Sequence, residues 1–267
     1  MQDFRYHVPS TVDEAVSILR DSEAPRLLAG GQTLLPRMKL EQESPSDLVS
    51  VASVLPRGIQ QIDDTVEIGA GATHYEIANS HDVVQVAIPA LAGLAAGIGD
   101  VQVRYRGTLG GALALNDPAG EYSAAALALD AVVRTDRREI RIRDFFAGTQ
   151  RTVLEQSEII LAVRFAIPDA AAYRKILDPA ARWPMVGVFV AHLTEQWRVA
   201  VTGAHVDGAF RHSAMETALA MSLAPEGIAK VETDFTDFRD TPFGDPRYRA
   251  NLVNVLARRC LEALAEA

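Results

Sequence analysis

The stretch that decides the fold runs from Val101 to Tyr122 and reads VQVRYRGTLGGALALNDPAGEY. Gly107 is followed three residues later by the pair Gly110 and Gly111. A tight turn alone needs one or two glycines. Glycine also lacks the Cβ atom that keeps a backbone away from a neighbouring group. The stretch therefore predicts a backbone that lies against something large and negatively charged.

Two further stretches share this character: AGGQT at 29–33, directly after an apolar strand, and GAGAT at 69–73. Consecutive backbone N–H groups in such turns form an anion-binding concavity, and each of the three stretches adds a threonine hydroxyl. A Gly-Gly pair by itself is more often a turn or a packing contact, so that alternative stays open for each stretch. The third stretch is not a Rossmann fingerprint, since His74 stands where the last glycine belongs and no clear βαβ unit surrounds it.

Composition excludes several classes of function. The 267 residues carry a formal net charge of -9, which does not suit general nucleic-acid binding. The single cysteine, Cys260, cannot form an internal disulfide or hold an iron–sulfur cluster. The six histidines show no metal-binding spacing, so no metal site is expected. No signal peptide is visible and the longest apolar runs are too short for a membrane span, so we expect a cytoplasmic protein without a transmembrane segment.

The remaining pattern predicts two kinds of region. In the first, a helix follows Ser10 or Thr11 as its cap, a packed helix covers 82–99, and a half-buried strand turns Ile140 and Ile142 inward. Further strands are expected at 47–51, 65–73 and 158–168, and a helix from 123 runs into another strand. From Asp169 onward, two strand-like runs precede helices at 213–223 and 248–267. Strands and helices in separate blocks indicate a distinct α+β domain.

Several of these stretches, in their order and spacing, resemble one protein family. They are LLAGGQTLLPRMKL, VEIGAGATHYEIA, IGDVQVRYRGTLGGALALNDPAGEY and REIRIRDFFAG, with YRKILDPAARWPMVGVFVA and VTGAHVDGAFRHSAMETAL in the C-terminal part. The family is the FAD-binding medium subunit of molybdenum hydroxylases, which includes the carbon monoxide dehydrogenase medium subunit and the flavin domain of xanthine dehydrogenase. The resemblance covers essentially the whole chain.

The resemblance implies an α+β fold in three parts. Residues 1–55 and 56–168 would form the two subdomains of an FAD-binding unit of the PCMH or vanillyl-alcohol-oxidase-like type. Residues 169–267 would form a small C-terminal α+β domain of the carbon monoxide dehydrogenase flavoprotein type.

The resemblance also implies roles for individual residues. The residues placed around the FAD pyrophosphate are Ala29, Gly30, Gly31, Gln32, Thr33 and Leu34 from one turn, and Thr108, Leu109, Gly110, Gly111 and Ala112 from the other, with a further contact from Thr73. Asp117 would lie near the ribose or adenine, with Glu121 where the family more often has aspartate. Lys175 and Trp183 would lie beside the flavin, although Trp183 also fits a plain core tryptophan. Ala112 replaces the asparagine that is usual in the family, so one polar contact would be lost.

The implied function is an electron-transfer flavoprotein subunit that acts within a complex. A large subunit with a molybdenum cofactor and a small subunit with [2Fe–2S] clusters would complete a heterotrimer or its dimer. This chain would pass electrons through FAD to an external acceptor, and no catalytic acid or base of its own is expected. On this interpretation, the glycine turns make sense only with a ligand present. Two alternatives stay open: a self-contained FAD-dependent oxidase or dehydrogenase, and an FAD-free scaffold subunit.

Overall fold

The N-terminal part of the computed structural model is a small parallel sheet with two helices. Thr11 caps the first helix, accepting a 3.1 Å hydrogen bond from the Glu14 N–H at its Oγ1, as the sequence predicts. Ala15 and Leu19 of this helix pack with Val49 in a buried core. The elements are β1 (Arg5–His7), α1 (Val12–Asp21), β2 (Pro25–Leu28), α2 (Leu34–Lys39) and β3 (Asp47–Ser50). The strands pair in the order β1-β3-β2. The structure describes residues 3–179, 183–221, 225–228 and 231–266.

A five-stranded antiparallel sheet forms the second part. The strands are β4 (Ile59–Ile62), β5 (Thr65–Gly69), β6 (Val132–Thr135), β7 (Glu139–Arg141) and β8 (Ile160–Ala166). Their order in the sheet is β4-β5-β8-β6-β7. Ile140 and Ile142 are buried as predicted, but the strand ends at Arg141 and Ile142–Asp144 form a 3-10 turn.

Six helices lie between β5 and β6. The single helix predicted over 82–99 is wrong, because Pro89 begins a new helix and Ile88 before it has an extended φ of -141°. Proline disfavours a helical conformation in the residue that precedes it. The helices are α3 (His74–Ala78), α4 (Val84–Ala87), α5 (Pro89–Ala96), α6 (Val101–Arg106), α7 (Leu109–Leu115) and α8 (Glu121–Ala128).

The C-terminal part is a four-stranded antiparallel sheet followed by helices. The elements are β9 (Ala170–Leu177), β10 (Pro184–Leu193), β11 (Gln196–Thr202), β12 (Phe210–Arg211), α9 (Ser213–Met221), α10 (Pro225–Ile228) and α11 (Pro246–Ala265). The strand order is β12-β11-β10-β9. The helix α11 packs on β9 and β10, while α8 packs on β10 and β11. Phe189, Ala191 and Ala200 of this sheet therefore belong to the core of the second part.

The α+β fold class agrees with the expectation from sequence. Each sheet also falls within one of the three predicted segments, 1–55, 56–168 and 169–267, although these boundaries stay a prediction. Among the described helices, none combines the length and apolar character that crossing a bilayer requires.

Candidate functional site: a cavity between two glycine turns

A cavity of about 800 Å³ lies where the three glycine stretches meet. Thr73 and Thr108 pair in an isolated antiparallel bridge, which joins the stretch after β5 to the stretch before α7. The 29–33 turn closes the cavity from the N-terminal part, and Trp183 and Pro184 contribute from the C-terminal part. The volume lies in the upper part of the range of small-molecule sites.

The first turn connects β2 to α2 and presents unused hydrogen-bond donors. Gly31 has a φ of +71°, a conformation that glycine adopts without steric cost. The backbone N–H groups from Gly30 to Leu34 donate no hydrogen bond to any described atom of the chain. Such a run of unpaired amides concentrates partial positive charge and suits an anion such as a diphosphate.

The two glycine turns touch each other directly. A Cβ atom on Gly30 would lie 2.1 Å from the Arg106 carbonyl oxygen and 2.9 Å from the Gly107 Cα. No side chain fits at that distance. Gly30 therefore allows the first turn to close on the end of α6.

The second turn uses its donors within the protein. The Leu109 N–H donates to the Ala72 carbonyl at 3.0 Å, and the Gly110 N–H donates to the Ala70 carbonyl at 2.9 Å. The Gly111 N–H donates to Thr108 Oγ1 at 3.2 Å, which caps α7. The N-terminal amides of this helix are therefore largely satisfied without a ligand.

The expectation that the glycines make sense only with a ligand is wrong. A Cβ on Gly110 would lie 2.7 Å from the Ala70 Cβ, and one on Gly107 would lie 2.5 Å from His74 Nε2. Like Gly30, these two positions need glycine because other parts of the chain approach them. Gly111 differs, because a Cβ there would meet only the Thr108 hydroxyl, at 2.9 Å.

Most of the residues that sequence analysis placed at the cofactor lie in the cavity wall. They are Ala29, Gly30, Gly31, Gln32, Thr33, Leu34, Thr108, Gly110, Gly111, Ala112, Asp117, Glu121 and Trp183. Trp183 is 48 % exposed, so the interpretation as a plain core tryptophan is wrong. The Asp117 carboxylate accepts a hydrogen bond from the Ala119 N–H at 2.9 Å, which shapes the turn before α8.

Three of the predicted residues do not line the cavity. Thr73 caps α3 in a reciprocal capping box, its Oγ1 and N–H both bonded to the Glu76 carboxylate. Leu109 is fully buried in the core of the second part. The Lys175 ammonium lies behind the wall and reaches it only through its partner, Glu121.

Glu121 is the centre of a buried polar network at the cavity wall. Its carboxylate accepts hydrogen bonds from Lys175 Nζ at 2.8 Å and from the Tyr173 hydroxyl at 2.9 Å. Lys175 Nζ also donates to the Gly97 carbonyl at 2.8 Å. Burial raises the pKa of Glu121, while the Lys175 ammonium acts in the opposite direction. The network joins α8, β9 and the end of α5 beside the cavity.

His74 and Tyr122 also line the cavity, although the sequence did not predict them there. His74 is buried against Gly107, and burial, with a smaller contribution from Arg104, lowers its pKa to about 4. Its ring lies 5.3 Å from that of Tyr122, centroid to centroid. The one available signal was the Thr73–Glu76 capping box, which sets His74 at the start of a helix.

The described residues contain no cluster of His, Cys, Asp and Glu side chains that would hold a metal ion. Cys260 is buried in α11, and its Sγ donates to the Val188 carbonyl at 3.4 Å. Burial raises the pKa of this thiol to about 12, so it is a packed core residue rather than a reactive one.

Comparison with known proteins identifies the family. Residues 2–169 match the family described as the FAD binding domain in molybdopterin dehydrogenase. The chain belongs to this family. The resemblance seen in the sequence is thereby confirmed, and the chain is an FAD-binding oxidoreductase subunit.

Relatives that match almost the full length agree with this assignment. The carbon monoxide dehydrogenase medium chain of Hydrogenophaga pseudoflava is 31% identical over 278 residues, covering 97% of this chain and 96% of that protein. The nicotine 6-hydroxylase medium subunit of Paenarthrobacter nicotinovorans is 30% identical, covering 96% and 95%. A chain in the solved structure of the Hydrogenophaga pseudoflava carbon monoxide dehydrogenase superposes with a TM-score of 0.86, covering 99% and 98%. Both named relatives are medium subunits of multi-subunit enzymes.

The cavity fits FAD on grounds independent of these names. The amides of Gly30–Leu34, which donate no hydrogen bond to a described atom, form an anion-binding group of the kind that suits a diphosphate. Gly111 leaves room at the start of α7. The described residues thus offer donors for an anion beside a cavity of ligand size.

Proposed function

We propose that this chain is the flavin subunit of a molybdenum hydroxylase complex and binds FAD between its two glycine turns. The observation that carries the proposal is the row of unpaired backbone amides from Gly30 to Leu34 at one side of a large cavity. When bound, FAD supplies the electron-carrying chemistry, accepting electrons from iron–sulfur clusters and passing them to an external acceptor. The residues of this chain bind and orient it.

The first turn holds the diphosphate through its amides and the Thr33 hydroxyl. Backbone donors fixed by the fold need no reorganisation when the charge arrives. Across the cavity, Thr108, Gly111 and Ala112 form the opposing wall, with Gly111 giving the space for close approach. Asp117 lies on the ribose or adenine side, and Trp183 lies beside the flavin.

Glu121 acts on the flavin from the cavity wall, and Lys175 acts from behind that wall, where it is paired with Glu121. Lys175 is held by Glu121 and Gly97 rather than by solvent, so its charge has a fixed place. A fixed charge beside a redox group tunes that group's electronics. Thr73 and Leu109 support the site by holding the turns together.

The proposed partners are a large subunit with a molybdenum cofactor and a small subunit with two [2Fe–2S] clusters, in a heterotrimer or its dimer. This chain has one cysteine, so clusters bound by cysteine thiolates must belong to another chain. The substrate would bind in the molybdenum subunit. We propose a cytoplasmic location for the complex.

The test is the visible absorption spectrum of the purified chain before and after incubation with excess FAD and desalting. We expect a retained flavin band, with FAD identified after denaturation. Gly111→Val should lose the band, because its side chain fills the space beside α7. Gly58→Val is the matched control, since a Cβ at Gly58 meets nothing within 4 Å.

Two outcomes would contradict the proposal. A complex co-expressed with its partner subunits that contains no flavin would support the FAD-free scaffold instead. Turnover of an organic substrate by the isolated chain would support a self-contained oxidase.

A further inference from the structure

Arg249, near the start of α11, is a buried cation whose described hydrogen bonds end on neutral oxygen atoms, while the charges of Asp178 and Asp240 act on it from nearby. Only 2 % of its surface is exposed. Its Nη1 donates to the Met185 carbonyl at 2.6 Å and to the Gly203 carbonyl at 3.0 Å. Its Nε and Nη2 donate to the Gly244 carbonyl at 3.2 Å and to Thr241 Oγ1 at 2.8 Å. Since arginine does not lose its proton, burying it carries a large desolvation cost. That cost points to a task beyond packing.

One of these acceptors lies directly beside the cavity. Met185 follows Trp183 and Pro184, which both line it. Gly203 has a φ of +82°, and a Cβ there would lie 2.6 Å from the carbonyl oxygens of both Pro184 and Met185. The glycine thus lets the Met185 and Gly203 carbonyls converge on a single nitrogen of Arg249.

The same glycine also contacts a second segment of the cavity wall. The Gly203 N–H donates to the Pro118 carbonyl at 2.8 Å. The neighbouring Thr202 hydroxyl lies 3.1 Å from the Pro118 carbonyl and 3.0 Å from the Gly120 carbonyl. These contacts hold the 117–121 segment, which lines the cavity through Asp117, Ala119, Gly120 and Glu121.

We propose that Arg249 is a positioning residue for the cofactor. It does not line the cavity itself. By fixing the Met185 and Gly203 carbonyls, it sets the distance between the Trp183–Pro184 wall and the 117–121 wall. A planar guanidinium with several fixed donors suits this task better than an ammonium group. The inference rests on the proposed function, since it takes FAD as the occupant.

The test compares Arg249→Met and Arg249→Lys with Leu256→Ala in the full chain. Leu256 is a buried residue of the same helix in the C-terminal core, so its truncation lowers stability. Its apolar side chain cannot hydrogen-bond to the Met185 or Gly203 carbonyl, so both carbonyls keep their hydrogen bonds from Arg249 in this variant. FAD affinity is measured by titration with flavin fluorescence, below the thermal transition of each variant. Where the isolated chain does not retain FAD, the titration uses the co-expressed complex.

We expect Arg249→Met to raise the Kd for FAD about tenfold. This is the size of effect expected when the carbonyls that position the cavity wall lose a charged hydrogen-bond donor. Arg249→Lys should recover part of this affinity, and Leu256→Ala should bind FAD as the wild type does at a lowered Tm. The inference is overturned when Arg249→Met keeps the wild-type Kd, or when Leu256→Ala weakens FAD binding as much. Should Arg249→Met not fold, the comparison of Arg249→Lys with Leu256→Ala decides in the same way. A wild-type protein without flavin contradicts the proposed function instead, which separates the two failures.

Discussion

The two glycine turns look alike in sequence and differ in structure. In the first, the amides of Gly30–Leu34 donate no hydrogen bond to the described residues. In the second, the amides of Leu109, Gly110 and Gly111 already donate within the chain. The first turn therefore offers donors to a ligand, and the second mostly serves packing. Glycine content alone does not distinguish these uses.

The largest loss of stability and of FAD binding is expected at Gly30, where the two turns meet. In Gly30→Ala, the new Cβ would lie 2.1 Å from the Arg106 carbonyl, so the turns must separate. We expect a loss of about 3 kcal/mol or more in the free energy of unfolding, with loss of FAD binding. Urea unfolding of the apoprotein measures the first and flavin content the second. Gly58→Ala is the control, and equal stability of the two variants would refute the direct contact between the turns.

The second difference is acid sensitivity, which reaches the second turn through a neighbouring helix. Neither turn, 29–34 or 107–112, contains a titratable side chain, but His74 of α3 is buried against Gly107. Its folded-state pKa of about 4 lies below the ordinary 6.5, so between these values the unfolded chain takes up the proton more readily. Stability should fall as the pH decreases from 6.5 to 4, by up to about 3 kcal/mol.

His74→Gln removes this titration, so its unfolding free energy should change less with pH in that window than the wild type's. Urea unfolding at several pH values between 7 and 4.5 checks the slope. Identical slopes for variant and wild type would show that His74 is not the group responsible.

The third prediction separates the two adjacent glycines of the second turn. Gly110→Ala should cost about 1–3 kcal/mol of apoprotein stability, because its Cβ would lie 2.7 Å from the Ala70 Cβ. Gly111→Ala should stay within about 1 kcal/mol of the wild type, because a helical Gly→Ala gain offsets a disturbed cap. Thermal unfolding of both apoproteins decides between them. Equal losses would mean that both glycines serve packing.

The sequence predicts those features that depend on residues close together along the chain. The Thr11 cap is read from its spacing to Glu14, and the burial of Ile140 and Ile142 from their alternation. Strand β9 was missed because its AAAYRKIL sequence begins with alanines, which have low strand propensity. It forms through pairing with β10 along most of its length, and no local pattern reports that pairing.

For a similar reason, the sequence does not predict which glycines are needed for packing within the chain. Gly30 is needed because of Arg106, and Gly110 because of Ala70, and both contacts arise only when the chain has folded. The sequence locates the turns and the cavity residues around them. It does not show which amides the fold leaves unpaired.

The smallest expected effect concerns the threonine of each turn. Thr108 caps α7 through its hydroxyl, whereas Thr33 makes no cap hydrogen bond at α2. Thr108→Val should therefore lower the free energy of unfolding of the apoprotein by about 1 kcal/mol. Thr33→Val should leave it within about 0.5 kcal/mol, because the Thr33 hydroxyl makes no hydrogen bond to the described residues. Thr33→Val should weaken FAD binding nevertheless, since this hydroxyl is free to donate to the diphosphate. Apoprotein unfolding and FAD titration of both variants test this difference, and a Thr33→Val variant with unchanged FAD affinity would remove its side chain from the site.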